Sequence, residues 1–352
     1  KTTTAMIETN SNLEKGTLRF APKDFKNASP VKWCPGCGDH GVLAAVHKAM
    51  AELDIAPDET VVVSGIGCSS RLPYYMSTFG FHTVHGRGAA VATGVKVARP
   101  DLTVWLMSGD GDSLAIGGNH FIHAVRRNVD INEVLFNNRI YGLTKGQYSP
   151  TSPRGLVTKS SPYGTVEDPF EPAELVMGAR GNFFARSLDV DQPTLTACLL
   201  AGAKHNGFAV TEVLVNCMIF NNGAHAAISD RAVRADKTLV LQHGEKMLFG
   251  EDKQRGLVLD GFKLRAVTIG EDGYTLDDVL THDAHEPNPF LHMMLAAMNG
   301  ADGLPVAMGV IRDVEGPTYD WAVQDQIDQQ KAKNKVRTLR ELLMTEDTWE
   351  IK

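Results

Sequence analysis

The 352 residues carry a formal net charge of −7 and no long basic run, which argues against nucleic acid as a partner. No apolar stretch reaches the length of a membrane span, and the polar segment Lys1–Asn12 has no signal-peptide pattern, so a cytoplasmic protein with a flexible N-terminal tail is the expectation. Five cysteines in so long a chain do not describe a secreted disulfide scaffold, and 33 glycines point to tight loops and close backbone approaches.

Apolar periodicity at Val42, Ala45, Val46, Ala49 and Met50 predicts a helix over 39–53. The β-branched run 60–64 predicts a buried strand, followed by a helix over 89–98 that Pro100 ends and a strand over 102–107. A helix over 113–127 carries Gly117 and Gly118, where a neighbour can approach closely, and a strand follows at 131–136. Beyond a long Gly-, Ser-, Thr- and Pro-rich loop, 139–169, helix 171–180, strand 182–187, helix 193–205 and strand 209–215 continue the alternation. Such alternation predicts an α/β fold with a mostly parallel sheet flanked by helices. After Asn221 the pattern weakens to a helix at 289–298, a strand at 304–311 and a charged, helix-prone stretch, 319–352. The expected division is a tail at 1–29, a ligand-binding domain at 30–224, and an extension at 225–352 packed on it.

Cys68, Asp110, Asn138 and Cys217 all fall at or just beyond the carboxyl end of a predicted strand. In open α/β sheets that edge binds ligands. The segment Gly109-Asp110-Gly111-Asp112-Ser113 joins a strand to a helix, and Asn137-Asn138 ends the next strand. Glycines let backbone approach a diphosphate, the helix starting near Ser113 offers free N–H groups, and Asp110 with the Asn138 amide oxygen supplies hard ligands for Mg²⁺. Cys34-Pro35-Gly36-Cys37 reads three ways: a zinc half-site, a redox dithiol opening a helix, or, with Cys68 and Cys217, four thiolates for a [4Fe–4S] cluster. Cys198, within an apolar helix, reads as an inert buried thiol. Arg71, three residues past Cys68, is the candidate for gripping a substrate carboxylate.

Taken together and in order, Trp33-Cys-Pro-Gly-Cys-Gly38, Gly65-Ile-Gly-Cys-Ser-Ser-Arg71, His85-Gly-Arg87, Gly109-Asp-Gly-Asp112, His123-Ala-Val-Arg-Arg-Asn128 and the run Asn137 to Gln147 resemble the beta subunit of 2-oxoacid:ferredoxin oxidoreductases, over roughly residues 30–222. The GDG and NN pair by itself resembles the thiamine-diphosphate motif. The resemblance implies that Asp110, Asn138 and the carbonyl of Ile140 bind Mg²⁺. It implies that Ile66, Gly67, Cys68, Ser69, His85, Gly86 and Arg87 line the site of thiamine diphosphate. The same holds for Gly109, Gly111, Asp112, Tyr141, Gly142, Leu143 and Thr144, with Gln147 facing the same cofactor. It implies one [4Fe–4S] cluster on Cys34, Cys37, Cys68 and Cys217. The length and the segment Thr281-His-Asp-Ala284 look like the 2-oxoglutarate-using members.

For those the implied reaction is 2-oxoglutarate, coenzyme A and oxidised ferredoxin going reversibly to succinyl-CoA, CO2 and reduced ferredoxin. The implied partner is an alpha subunit, fused to gamma, that contributes the half of the site carrying the cofactor-activating glutamate, which has no assigned position in this chain. The other readings are a pyruvate-using or broad 2-oxoacid enzyme, a non-oxidative thiamine-dependent decarboxylase, and a zinc-stabilised scaffold whose GDG loop is only a turn.

Overall fold

The computed structural model describes residues 18–334, 336, 338–344, 348, 349 and 351. The first 17 residues of the expected tail lie outside them. The frame is an eight-stranded sheet in the order β2-β1-β3-β4-β6-β5-β11-β7. Its strands are β1 Thr60–Ser64, β2 Phe79–His82, β3 Thr103–Gly109, β4 Ile131–Asn137, β5 Phe183–Leu188, β6 Phe208–Leu214, β7 Thr238–Leu241 and β11 Val306–Asp313. The six strands from β2 to β5 in that order run parallel, whereas β11 lies antiparallel to β5 and parallel to β7. A separate antiparallel sheet joins β8 Leu248–Phe249, β9 Arg255–Asp260 and β10 Lys263–Thr268.

The central strands β1, β4 and β6 are buried on both faces; β1 reads accordingly as a run of valines, while β4 and β6 bury Glu133 and Glu212 among their apolar residues. Side chains still divide by parity. Val61, Val63, Val104 and Leu106 enter one core, while Val62, Trp105 and Met107 enter the other. The second core is closed by helix α1, Asp39–Leu53, through Val42, Val46 and Met50, and by Leu195 and Leu199 of a later helix, Gln192–Lys204. The first core is closed by helix α2, Gly88–Ala98, by the helix Gly118–Arg127, and by Leu239, Leu257, Leu295 and Ile311 from the C-terminal third. Two strands from beyond residue 225 therefore extend the main sheet, and others cap its core.

The helix expected over 113–127 is two helices, α3 Asp110–Leu114 and α4 Gly118–Arg127. The break has a close-packing cause. Gly86, at φ +68, seats its backbone on Gly117, and a Cβ on Gly86 would stand 2.5 Å from the Gly117 nitrogen. A Cβ on Gly117 would stand 2.3 Å from the Asp112 carbonyl. The loop carrying His85 is thereby docked at the end of α3. The other elements fall where expected to within a few residues; β2, β7 and the small sheet carried no clear periodic signal.

No helix among the described residues is long and apolar enough to cross a membrane.

Candidate functional site

The chain reverses lateral direction between β1 and β3: β1 leads to the edge strand β2, whereas β3 starts the walk to β4 and β6. Crevices form beyond the strand ends at such switch points. The loop after β1 brings Ile66 to Ser69, the turn after β3 brings Gly109 to Asp112, and the turn after β4 brings Asn138 to Thr144, all to one cavity. His85 and Gly86 approach from the side. His85 Nδ1 lies 2.6 Å from Asp112 Oδ1, which also accepts from Gly86 N at 2.8 Å, while Ser108 Oγ donates to the other oxygen at 2.9 Å. Asp112 is thus fully engaged and structural. A Cβ on Gly65 would stand 1.5 Å from Asp112 Oδ2, so only glycine leaves room for that carboxylate.

Asp110 is buried, and its Oδ2 accepts from the hydroxyls of Ser149 and Thr151, each at 2.5 Å. Even so, burial pushes its pKa up to about 6. A carboxylate whose charge is left under-compensated by its donors is the setting in which a bound cation would supply the missing positive charge. The turn beside it is held rigid. Arg139 sits at φ +56, Asn138 Oδ1 accepts from Ile140 N at 3.1 Å, and Asn221 Nδ2 donates to the carbonyls of Asn138 and Arg139 at 3.0 and 3.2 Å. The oxygen donors Asp110, Asn138 and Ile140 are hard ligands that fit Mg²⁺. Tyr141 donates to the Gly111 carbonyl at 2.8 Å, and a Cβ on Gly111 would meet its ring at 2.2 Å, so the motif's second glycine makes room for this tyrosine. Helix α3 has five residues, so what it offers an anion is the local N–H groups of one turn rather than a long dipole.

A second cavity, of about 200 Å³, shares Cys68, Gly142 and Leu143 with the first. Cys34, Cys37, Cys68 and Cys217 line it together, with Trp33, Met218, Ile219 and Phe220 as apolar walls. Gly142 is the partition, since a Cβ there would be 3.4 Å from Cys217 Sγ and 3.8 Å from Cys68 Sγ. Burial, then the charge of Asp39, then the neighbouring thiols push Cys68 up to about 12, and Cys37 is raised by burial and Asp39 as well. Among the described residues no three such side chains are arranged around a single ion. In a [4Fe–4S] cubane each thiolate takes a different iron, so its ligands surround a body rather than a point, and four soft thiolates in an apolar pocket fit that group. Cys198 is buried in the helix Gln192–Lys204, remote from this set, with only a long contact of 3.8 Å to the Arg186 carbonyl.

Arg71 lines the cysteine cavity rather than the Asp110 cavity, and its Nε donates to the Tyr75 hydroxyl at 3.2 Å. Arg87 caps α2 and contacts the Gly86 carbonyl at 3.3 Å; it does not line either cavity. Thr144 reaches the Asp110 cavity, whereas Gln147 folds back on Thr144, donating to its carbonyl at 2.8 Å. Three participants had no sequence signal. Ser149 and Thr151 sit in a Ser-Pro-Thr-Ser-Pro stretch that reads only as turn. Asp39 is buried at the start of α1 and lines the Asp110 cavity, its pKa pushed by burial to about 7.

Comparison with known proteins adds independent findings. A family model described as the thiamine pyrophosphate enzyme C-terminal TPP-binding domain matches residues 65–213. The chain is 42% identical to the 2-oxoglutarate oxidoreductase subunit KorB of Mycobacterium tuberculosis, over 99% of this chain and 92% of that one. It is 48% identical to subunit beta of 2-oxoacid:ferredoxin oxidoreductase 1 of Aeropyrum pernix, over 54% of this chain and 60% of the relative. Among solved structures it superimposes, with a TM-score of 0.74 and 31% identity, on a chain of the 2-oxoglutarate:ferredoxin oxidoreductase from Magnetococcus marinus with 2-oxoglutarate, coenzyme A and succinyl-CoA bound, covering 94% of this chain and 97% of the other.

Proposed function

This chain belongs to the family of 2-oxoacid:ferredoxin oxidoreductase beta subunits, and from that premise we propose that it carries thiamine diphosphate, Mg²⁺ and a [4Fe–4S] cluster in an enzyme that converts 2-oxoglutarate and coenzyme A to succinyl-CoA and CO2, passing electrons reversibly to ferredoxin. The observation that carries the reading is the shared wall of the two cavities. The Asp110 carboxylate stands on one side of Cys68, Gly142 and Leu143 and the thiols of Cys34, Cys37 and Cys217 on the other, so a redox group and a carbon-chemistry group would be neighbours. The names of the Mycobacterium and Magnetococcus relatives favour 2-oxoglutarate over pyruvate.

When bound, thiamine diphosphate supplies a carbon nucleophile and an electron sink for decarboxylation. This chain's residues do the holding. Asp110, Asn138 and the Ile140 carbonyl would bind Mg²⁺. Ser149 and Thr151 orient the aspartate, and Tyr141 pins the glycine turn. Arg71, beside the cysteine cavity, would bind a carboxylate of the substrate. Among the described residues no glutamate lines the cofactor cavity, whose carboxylates are Asp39, Asp110 and Asp112.

Two features support a site completed by an alpha partner. The Asp110 cavity encloses about 40 Å³. Ligand pockets for molecules of cofactor size begin near roughly 300 Å³, so this chain forms one wall. The loops around it also expose Val84, Ile116, Leu143 and Ile219 at the same edge, apolar surface of the kind a partner covers.

Anaerobic co-purification with the alpha partner tests the reading. Expected are about four irons per chain, bound thiamine diphosphate, and bleaching of the visible spectrum on adding 2-oxoglutarate with coenzyme A. Thiamine without iron would replace the reading with a non-oxidative decarboxylase, and zinc without thiamine with a scaffold. Bleaching by pyruvate but not 2-oxoglutarate would change the substrate.

A further inference from the structure

Behind the metal turn, three neighbouring strands, β4, β6 and β5, carry a continuous line of polar side chains. At its front, Thr151 Oγ1 lies 2.5 Å from Asp110 Oδ2 and 2.9 Å from Asn137 Oδ1. Asn137, the last residue of β4, donates through Nδ2 to Glu212 Oε1 at 2.7 Å. Glu212, on β6, accepts through Oε2 from Arg186 Nε at 2.6 Å, and Arg186 is its register partner on β5. Asp110, Asn137, Glu212 and Arg186 are all nine-tenths or more buried.

A buried Arg–Glu pair is often replaceable by apolar side chains without loss of stability, so its presence behind a site asks for a reason. Chemistry supplies one. An asparagine amide presents either its oxygen or its nitrogen in a given direction, and the Glu212 carboxylate can only accept from it. Glu212 therefore turns Nδ2 of Asn137 toward itself and Oδ1 toward Thr151. The Thr151 hydroxyl has a single proton and now faces two acceptors, Asp110 Oδ2 and Asn137 Oδ1. When a cation takes over the Asp110 charge, the hydroxyl can give its proton to Asn137 and keep a hydrogen bond. Were the amide reversed, Thr151 would face a donor there, and its proton could go only to Asp110 or to the more distant Ser149 Oγ at 3.3 Å.

We propose that Glu212 and Arg186 are positioning residues for the metal: through Asn137 they fix the acceptor that lets Thr151 release Asp110 to a divalent cation. This rests on the reading of Asp110 as a Mg²⁺ ligand. It assigns a role to residues two and three strands away from the cofactor, none of which would touch it.

The test measures thiamine diphosphate binding to the full chain in complex with its alpha partner, titrated with Mg²⁺ and read by equilibrium dialysis. Glu212→Gln removes the charge and lets residue 212 present a carbonyl or an amide, freeing Asn137 to turn. The Mg²⁺ concentration for half-saturation is expected to rise about 10- to 100-fold, as for other groups that orient a metal ligand. Turnover at saturating Mg²⁺ and cofactor should change far less. Thr151→Val cuts the same line at its front, and the Thr151→Val/Glu212→Gln double variant should be little worse than Thr151→Val alone, because both act through one path.

If Glu212→Gln does not fold, the Arg186→Met/Glu212→Met double variant restores packing without the polar line. A structural role predicts wild-type Mg²⁺ dependence for it; the positioning role predicts the same weakening. Unchanged Mg²⁺ dependence in the variants, or full additivity in the double variant, overturns the proposal. Absence of Mg²⁺-dependent cofactor binding in the wild-type complex would instead overturn the reading of Asp110.

Discussion

The two cavities at the carboxyl edge share a wall but are built by opposite means. In the Asp110 cavity the motif carboxylates are fixed by hydrogen bonds: Asp110 by two hydroxyls, and Asp112 by His85, Gly86 and Ser108. This side is preorganised in the polypeptide itself. In the cysteine cavity the walls are apolar, and burial raises Cys37 and Cys68 so that these two hold their protons. Thiolates there would need a metal to replace those protons, as metal sites built on cysteine generally do. Preorganisation by hydrogen bonds suits a dissociable cofactor, and burial of soft ligands suits a group inserted once.

That contrast can be broken most sharply from the cysteine side. Cys217 lines only the cysteine cavity. Cys217→Ser should abolish the cluster, so iron per chain and substrate-dependent bleaching both disappear, while Mg²⁺-dependent thiamine diphosphate binding persists. Retention of full iron content would remove Cys217 from the ligand set. From the other side, Asp110→Asn should weaken cofactor binding by on the order of 100-fold or more, since it loses a direct ligand where even indirect ones cost 10- to 100-fold. Iron content should be unaffected; equal loss of both groups would show that the cavities do not assemble independently.

Arg71, on the cysteine side, tests where the substrate binds. If it grips a carboxylate of the substrate, Arg71→Ala should raise KM for 2-oxoglutarate about tenfold, the worth of a charge-assisted hydrogen bond, with an unchanged melting temperature. A fall in stability at constant KM would make its contact with Tyr75 the whole of its role.

A test of stability rather than of binding concerns Glu133, which lies behind the Asp110 cavity. It is buried, accepts from Ser113 Oγ at 2.5 Å, and burial raises its pKa to about 8. Unfolded, it loses its proton near 4.5. Between those values the folded chain holds a proton that the unfolded chain has released, so this group's contribution to stability is present below about 4.5 and is lost as pH rises toward 8. The slope is about 1.4 kcal/mol per pH unit. Melting curves of wild type and Glu133→Gln across that window should diverge with pH; parallel curves would mean that Glu133 is charged in the fold.

Much of the fold and of the site is legible in the order of residues. The parallel core follows from β-branched runs alternating with helical periodicity, whereas the burial of β4 and β6 on both faces is not legible, because each carries a glutamate, Glu133 and Glu212, within its run. The placement of Cys68, Asp110, Asn138 and Cys217 follows from counting residues past strand ends. The pairing of Gly109-Asp110-Gly111 with Asn137-Asn138 carries the cofactor class, because diphosphate and Mg²⁺ demand close backbone and hard oxygens at one place.

The break between α3 and α4 is not legible there. Gly117 signals close approach, but only the fold says that Gly86 is what approaches. Nor can Ser149 and Thr151 be found, because a hydroxyl in a Ser- and Pro-rich loop has no periodicity to mark the side chain it meets 39 or 41 residues away.

The amino-acid sequence alone determined the alternating elements, the strand-end positions of the reactive residues and the donor chemistry, because these depend on local pattern and residue type. Tertiary structure decided which elements are neighbours. It joined β11 and β7 to the sheet, brought four cysteines from three loops into one cavity, and set Arg186, Glu212 and Asn137 in line behind Asp110. Long-range pairing across a sheet is set by backbone hydrogen bonds and core packing, which leave no mark on the spacing of the residues they bring together.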